Sequence, residues 1–97
     1  MIVRKLNEAG RVLPKEKTQR MKSGYVILSP EEEIGEHITE QREELIIFLE
    51  GKAKVISAGK EVEVKAPVAV YIEPEDKHNV INIGKEKLKY VYVVAFV

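Results

Sequence analysis

The chain has 97 residues with 16 basic and 16 acidic side chains, a net charge of zero and no cysteine. That length makes one domain, 1–97, with a modest core. Zero net charge argues against a general nucleic-acid binder, the lack of cysteine excludes disulfides, thiolate metal sites and a thiol nucleophile, and no apolar run is long enough to span a membrane.

In chain order, MIVRKL is too brief for the apolar region of a signal peptide, so a cytoplasmic protein is expected. Residues 7–22 are polar, are punctuated by Gly10 and Pro14, and read as a loop or strand-turn. Turn signals follow at Gly24, Ser29-Pro30, Gly35, Glu50-Gly51, Ala58-Gly59, Ala66-Pro67, Glu73-Pro74 and Gly84-Lys85. Between them lie runs rich in Val, Ile, Tyr and Phe, which suit a pleated surface: YVILS, LIIFLEG, KVISA, EVEVKA, VAVYIE, NVINI and LKYVYVVAFV. Lys60 to Lys65 alternates strictly, as a half-exposed strand does. LIIFL and VYVVAFV do not alternate, so both of their faces are expected to be covered, one by core and the other by a second copy of the chain. No stretch has a helix period, and many short strands at near-regular spacing predict an all-β sandwich or barrel.

Two compositional biases remain. Residues 1–22 hold seven basic and two acidic side chains, whereas residues 31–50 hold eight Glu and one Arg, so the two segments are expected to screen each other within one chain or between two. Twelve Lys and 15 Glu against one Asp, two Gln and three Asn is a thermophile-like usage.

The chemistry concentrates on the only two histidines, His37 and His78, each placed where a loop meets a strand run. Glu44 opens the apolar run LIIFL, and a carboxylate carried toward an apolar interior needs a partner or must become neutral. Folded as a hairpin turning at Gln41-Arg42, residues His37–Phe48 would set Thr39 opposite Glu44 and His37 opposite Ile46, with His37, Thr39 and Glu44 on one face. If the strand of His78 lines the same interior, two imidazoles and one carboxylate make a three-ligand site with open positions. Such a site suits Fe(II) and also holds Mn, Ni, Co or Zn. The cation would in turn stabilise the buried carboxylate.

At these residues the sequence resembles the cupin family. The family's first motif runs Gly, a short gap, His-x-His, three or four residues, Glu, six residues, Gly, and Gly35, His37, Thr39, Glu44 and Gly51 fill most of it. The second runs Pro-x-Gly, two residues, His, three residues, Asn, and Pro74, His78 and Asn82 match. The two motifs fall at about 35–51 and 67–82. Thr39 stands where the second histidine belongs, and Asp76 replaces the second-motif glycine, one residue closer to its histidine.

The resemblance implies a jelly-roll β-barrel, the double-stranded β-helix, commonly paired into homodimers. It implies a divalent cation on His37, Glu44 and His78, and a small-molecule ligand in a pocket to which Thr39, Gln41, Phe48, Asn82 and Tyr71 are assigned. Phe48, Tyr71, Tyr90 and Tyr92 could each line a pocket, with core packing the favoured reading. Two functions fit: a metal-dependent site acting on or binding a small oxygenated metabolite, or a metal-free module binding a metabolite or sugar, toward which Thr39 leans.

Overall fold

A computed structural model describes residues 1–13 and 15–97; the punctuation read at Pro14 lies outside them. The described residues form β1 (Gly10–Leu13), β2 (Met21–Leu28), β3 (His37–Ile38), β4 (Arg42–Glu50), β5 (Lys52–Ser57), β6 (Lys60–Lys65), β7 (Val68–Ile72), β8 (Lys77–Asn82) and β9 (Leu88–Phe96), with a single 3-10 turn at Lys15–Lys17. Each of the seven apolar runs lies in a strand. The polar stretch 7–22 contains β1 and the 3-10 turn, and β3 is too short to have been read from its composition.

All strand pairs are antiparallel, in two sheets of order β1-β2-β9-β4-β7 and β3-β8-β5-β6. The jelly-roll expectation holds, in the form of two facing sheets. Among the described residues no ladder closes them into a hydrogen-bonded cylinder. The core between the sheets is built from Leu28, Ile46, Phe48, Ala53, Val55, Ile72, Val80, Leu88 and Tyr90. Period-two alternation decides which residues enter it. Along β4, Glu44, Ile46 and Phe48 are buried, while Leu45, Ile47 and Leu49 are exposed. The lack of polar alternation in LIIFL therefore does not mean two covered faces within one chain; it leaves an apolar row on the outside.

Two local readings are corrected. Gly24 does not end a strand but lies inside β2, opposite Tyr92 of β9. A Cβ at Gly24 would fall 2.4 Å from the Tyr92 ring, so the absence of a side chain is what lets that ring lie against β2. Nor do His37 and Glu44 belong to one hairpin. β3 pairs with β8, with His37 directly opposite His78, whereas β4 lies in the other sheet. The crossing between sheets is made at Thr39–Gln41. Gln41 adopts a left-handed φ of 55°, its N–H donates to the Glu75 carboxylate at 2.7 Å, and the Thr39 carbonyl accepts the Glu75 N–H at 3.2 Å. These bonds stitch the crossing to the turn before β8.

Phe48 is wholly buried against Tyr90, with ring centroids 5.2 Å apart. Phe48→Ala is expected to cost about 3–5 kcal/mol, the usual loss for deleting a buried aromatic, read as a lowered urea midpoint at unchanged slope.

Candidate metal centre

The inward face of the five-stranded sheet carries one carboxylate. Glu44 stands between Val94 of β9 and Ile72 of β7, and Lys22 of β2 occupies the far side of Val94 in the same rung. Glu44 is buried. The facing sheet supplies both histidines. His78 alternates inward with Val80 and Asn82 along β8 and has no exposed side-chain surface. His37 pairs with it from β3 at the sheet edge and is exposed. The two rings lie 4.1 Å apart between centroids, tilted by 58°. One ligand atom from each of His37, Glu44 and His78 falls within 4.8 Å of the others. The three residues meet across the gap between the sheets, although the hairpin by which the sequence reading joined them does not exist.

Hydrogen bonding fixes how the imidazoles present themselves. Nδ1 of His37 lies 2.9 Å from the Gly35 carbonyl, and Nδ1 of His78 lies 3.0 Å from the Asp76 carbonyl. A carbonyl only accepts, so each Nδ1 carries the proton and each neutral ring keeps its lone pair on Nε2. Nε2 of His78 stands 3.4 Å from Oε1 of Glu44 yet makes no hydrogen bond with it or with any other described group. With the imidazole neutral and the carboxylate ionised, both atoms are acceptors. A proton or a cation is needed between them.

Burial, the largest single influence on His78, lowers its pKa, but the nearby Glu44 carboxylate and the Asp76 carbonyl together outweigh it and raise the pKa above the ordinary imidazole value. The residues present also fit a metal. Two donors on one first-row ion, each about 2.1 Å from it, stand about 3–4 Å apart; His78 Nε2 and Glu44 Oε1 are 3.4 Å apart, and the three ligand atoms lie within 4.8 Å of one another. The donor set of two imidazoles and a carboxylate is that of a three-ligand site with open positions.

A cavity of about 370 Å³ opens beside the cluster, lined by His37, Glu44 and Thr39 together with Lys22, Tyr90 and Tyr92 and, among its apolar wall residues, Val80 and Val94. His78 lies behind this lining. Thr39 is buried and its Oγ1 has no hydrogen-bond partner among the described residues, which makes it a second orphaned polar atom beside the cluster.

The other residues assigned to the pocket lie elsewhere. Phe48 is core. Asn82 is buried away from the cavity. Its amide donates to the carbonyls of Leu28 at 3.0 Å and Glu86 at 2.9 Å, and its Oδ1 accepts the Gly84 N–H, so it fastens the turn after β8. Gln41 serves the crossing described above, and Tyr71 is exposed on the outer face, donating to Glu43 at 2.8 Å. The cavity wall also includes Tyr90, which is core at the same time, Tyr92, which packs against the core, and Lys22, which belongs to no motif. The position of Lys22 depends on the β2–β9–β4 register, and no local signal announces it.

A cluster of two imidazoles and one carboxylate, with Glu44 and His78 buried and His37 exposed, lies between the two sheets of a small jelly-roll β-protein. A family model described as the cupin domain matches residues 24–94, and the chain belongs to the cupin family. Comparison with curated proteins finds no match. Among solved structures, the chain is similar to a predicted oxalate decarboxylase of Thermotoga maritima (TM-score 0.87, 23% identity, 92% of this chain and 79% of that one). It is also similar to a cupin 2 conserved barrel domain protein of Salinispora arenicola (TM-score 0.82, 24% identity, 98% and 88%). A third is a recombinant oxalate oxidase in complex with glycolate (TM-score 0.73, 19% identity, 78% and 42%). At these identities the likeness shows the fold.

Because the folded pKa of His78 is raised, its protonation stabilises the metal-free protein fully below the ordinary imidazole value of about 6.5, and this contribution is lost as pH rises through the folded value. NMR titration of the metal-free protein is expected to place the His78 midpoint above that ordinary value. Glu44→Gln is expected to bring it below, because burial then acts with less opposition.

Proposed function

We propose that the chain holds a divalent first-row cation on His37, Glu44 and His78 and presents it to a small anionic oxygen ligand in the adjoining cavity. The observation that carries this reading is the convergence of one ligand atom each from His37, Glu44 and His78 to within 4.8 Å, with the buried His78 Nε2 lacking a hydrogen-bond partner among the described residues. When bound, the cation supplies Lewis-acid polarisation and a template for oxygen donors.

The chain's own groups shape what reaches it. The orphaned Thr39 hydroxyl can both donate to and accept from a ligand oxygen. Lys22 adds positive charge to the wall. Tyr90, its phenol pushed far up by burial and by the charge of Glu44, stays protonated at neutral pH and acts as wall rather than base. Two of the structural relatives are described in terms of oxalate, one of them with glycolate bound. Small carboxylates of that class match a cavity that combines a cation site, a lysine and a free hydroxyl. The metal-free reading draws on Thr39, which removes one imidazole from the family's motif; on that reading the same cavity binds its ligand without an ion.

The outer row Leu45, Ile47 and Leu49, with Tyr71 beside it on β7, is exposed. The reading here is that a second copy covers it. The segment 1–9 exposes Met1, Ile2, Val3 and Leu6 next to Arg4 and Lys5, a composition complementary to apolar β4 and its flanking Glu43 and Glu50. Sedimentation should find a dimer, converted to monomer by Ile47→Lys.

Elemental analysis of untagged protein is expected to find one divalent ion per chain, lost in His37→Ala and in Glu44→Gln. With the cation at 100 times its Kd the native state gains about 2.7 kcal/mol, seen as a raised Tm that a chelator abolishes. A ligand-induced Tm rise that persists in chelator would favour the metal-free module.

A further inference from the structure

His37 is the exposed member of the cluster and sits on the shortest strand, so something beyond the two-residue ladder must hold it. Its Nδ1–H is oriented by the Gly35 carbonyl. Gly35 itself has a φ of 102° and open space where a Cβ would stand, so it is required there for its backbone conformation and not for room. The Gly35 N–H donates to Oδ1 of Asn79 at 2.9 Å.

Asn79 follows His78 on β8 and points to the opposite face, yet it is buried. Its Oδ1 also accepts its neighbour Val80 N–H at 2.8 Å, and its Nδ2 donates to Oε1 of Glu33 at 3.2 Å. Two N–H donors on one side and a carboxylate on the other leave a single consistent orientation for the amide. The backbone alongside adds an Ile34 N–H bond to the Val80 carbonyl at 3.0 Å.

We infer that Asn79 is a positioning residue for the His37 ligand, acting through Gly35: it clamps Glu33–Gly35 against β8 and so aims the Gly35 carbonyl at Nδ1 of His37, which leaves Nε2 free for the cation. The chain of contacts links the exposed ligand to the residue next to the buried one, so both histidines are referenced to the same strand. This inference rests on the metal reading above for its consequence, but the clamp itself exists without an ion. Loss of such an outer contact typically lowers metal affinity about 10–100-fold.

The test uses the full chain and Co(II) as the probe. Wild type, Asn79→Ala, Asn79→Asp and the double variant Asn79→Asp/Glu33→Gln are titrated, with folding checked by circular dichroism. In parallel, the His37 tautomer is read from 15N chemical shifts of the metal-free proteins.

The expected results are at least a 10-fold loss of Co(II) affinity in Asn79→Ala and a shift of His37 away from the pure Nδ1–H tautomer. Asn79→Asp keeps the acceptor but sets two carboxylates together, and is expected to be weakened as well. The double variant exchanges amide and carboxylate, restores the donor, and is expected to recover both affinity and tautomer. Wild-type affinity and an unchanged His37 tautomer in Asn79→Ala would overturn the inference, as would a double variant no better than Asn79→Asp. If wild type does not bind Co(II), the metal reading fails, and the tautomer comparison still decides whether Asn79 positions His37. Should Asn79→Ala not fold, the comparison of Asn79→Asp with the double variant decides.

Discussion

A buried carboxylate and a buried imidazole nitrogen stand 3.4 Å apart in this protein with no hydrogen bond between them. The imidazole is turned this way because its other nitrogen is committed to the Asp76 carbonyl. In an apolar interior this is a costly arrangement unless positive charge is supplied. A proton on His78 would supply it in the isolated chain, and the neighbouring Glu44 carboxylate and Asp76 carbonyl raise the group's pKa accordingly; a cation shared with His37 would supply it more fully. The rest of the site follows from this requirement for charge.

The fold meets the requirement by drawing the donors from different sheets. Glu44 arrives on the five-stranded sheet, both histidines on the other, and the space between the sheets widens there into the cavity. β8 is the organising strand. Facing inward it carries His78, Val80 and Asn82, which serve in turn the His37–Glu44–His78 cluster, the cavity wall and core, and the turn at the far end. Facing outward it carries Asn79, bonded to the segment that presents His37. One six-residue strand thus sets the geometry of the site from both of its faces.

Much of this was legible in the sequence, and the reasons are local. The branched and aromatic runs announced seven strands, and the spacing of His37, Thr39 and Glu44, with His78 and Asn82 following, pointed to the family and to the cluster. What was not legible depends on contacts between distant segments. Gly24 reads as a turn until Tyr92 is known to lie against it. Gln41-Arg42 reads as a hairpin turn until Glu75 is seen to hold Thr39–Gln41 as a crossing between sheets. Tyr71 and Phe48 look equally suited to a pocket, and only register places one outside and the other in the core. Lys22 and Asn79 carry no motif at all, because their roles come from the strand and segment packed beside them.

The most direct measurement is crystallographic. Crystals grown with Co(II) or Mn(II), measured on either side of the metal's absorption edge, should show one anomalous peak within bonding distance of His37 Nε2, His78 Nε2 and a Glu44 carboxylate oxygen, with the remaining positions facing Thr39 and the cavity. A map without density there, in crystals whose solution binds the ion elsewhere or not at all, would contradict the account.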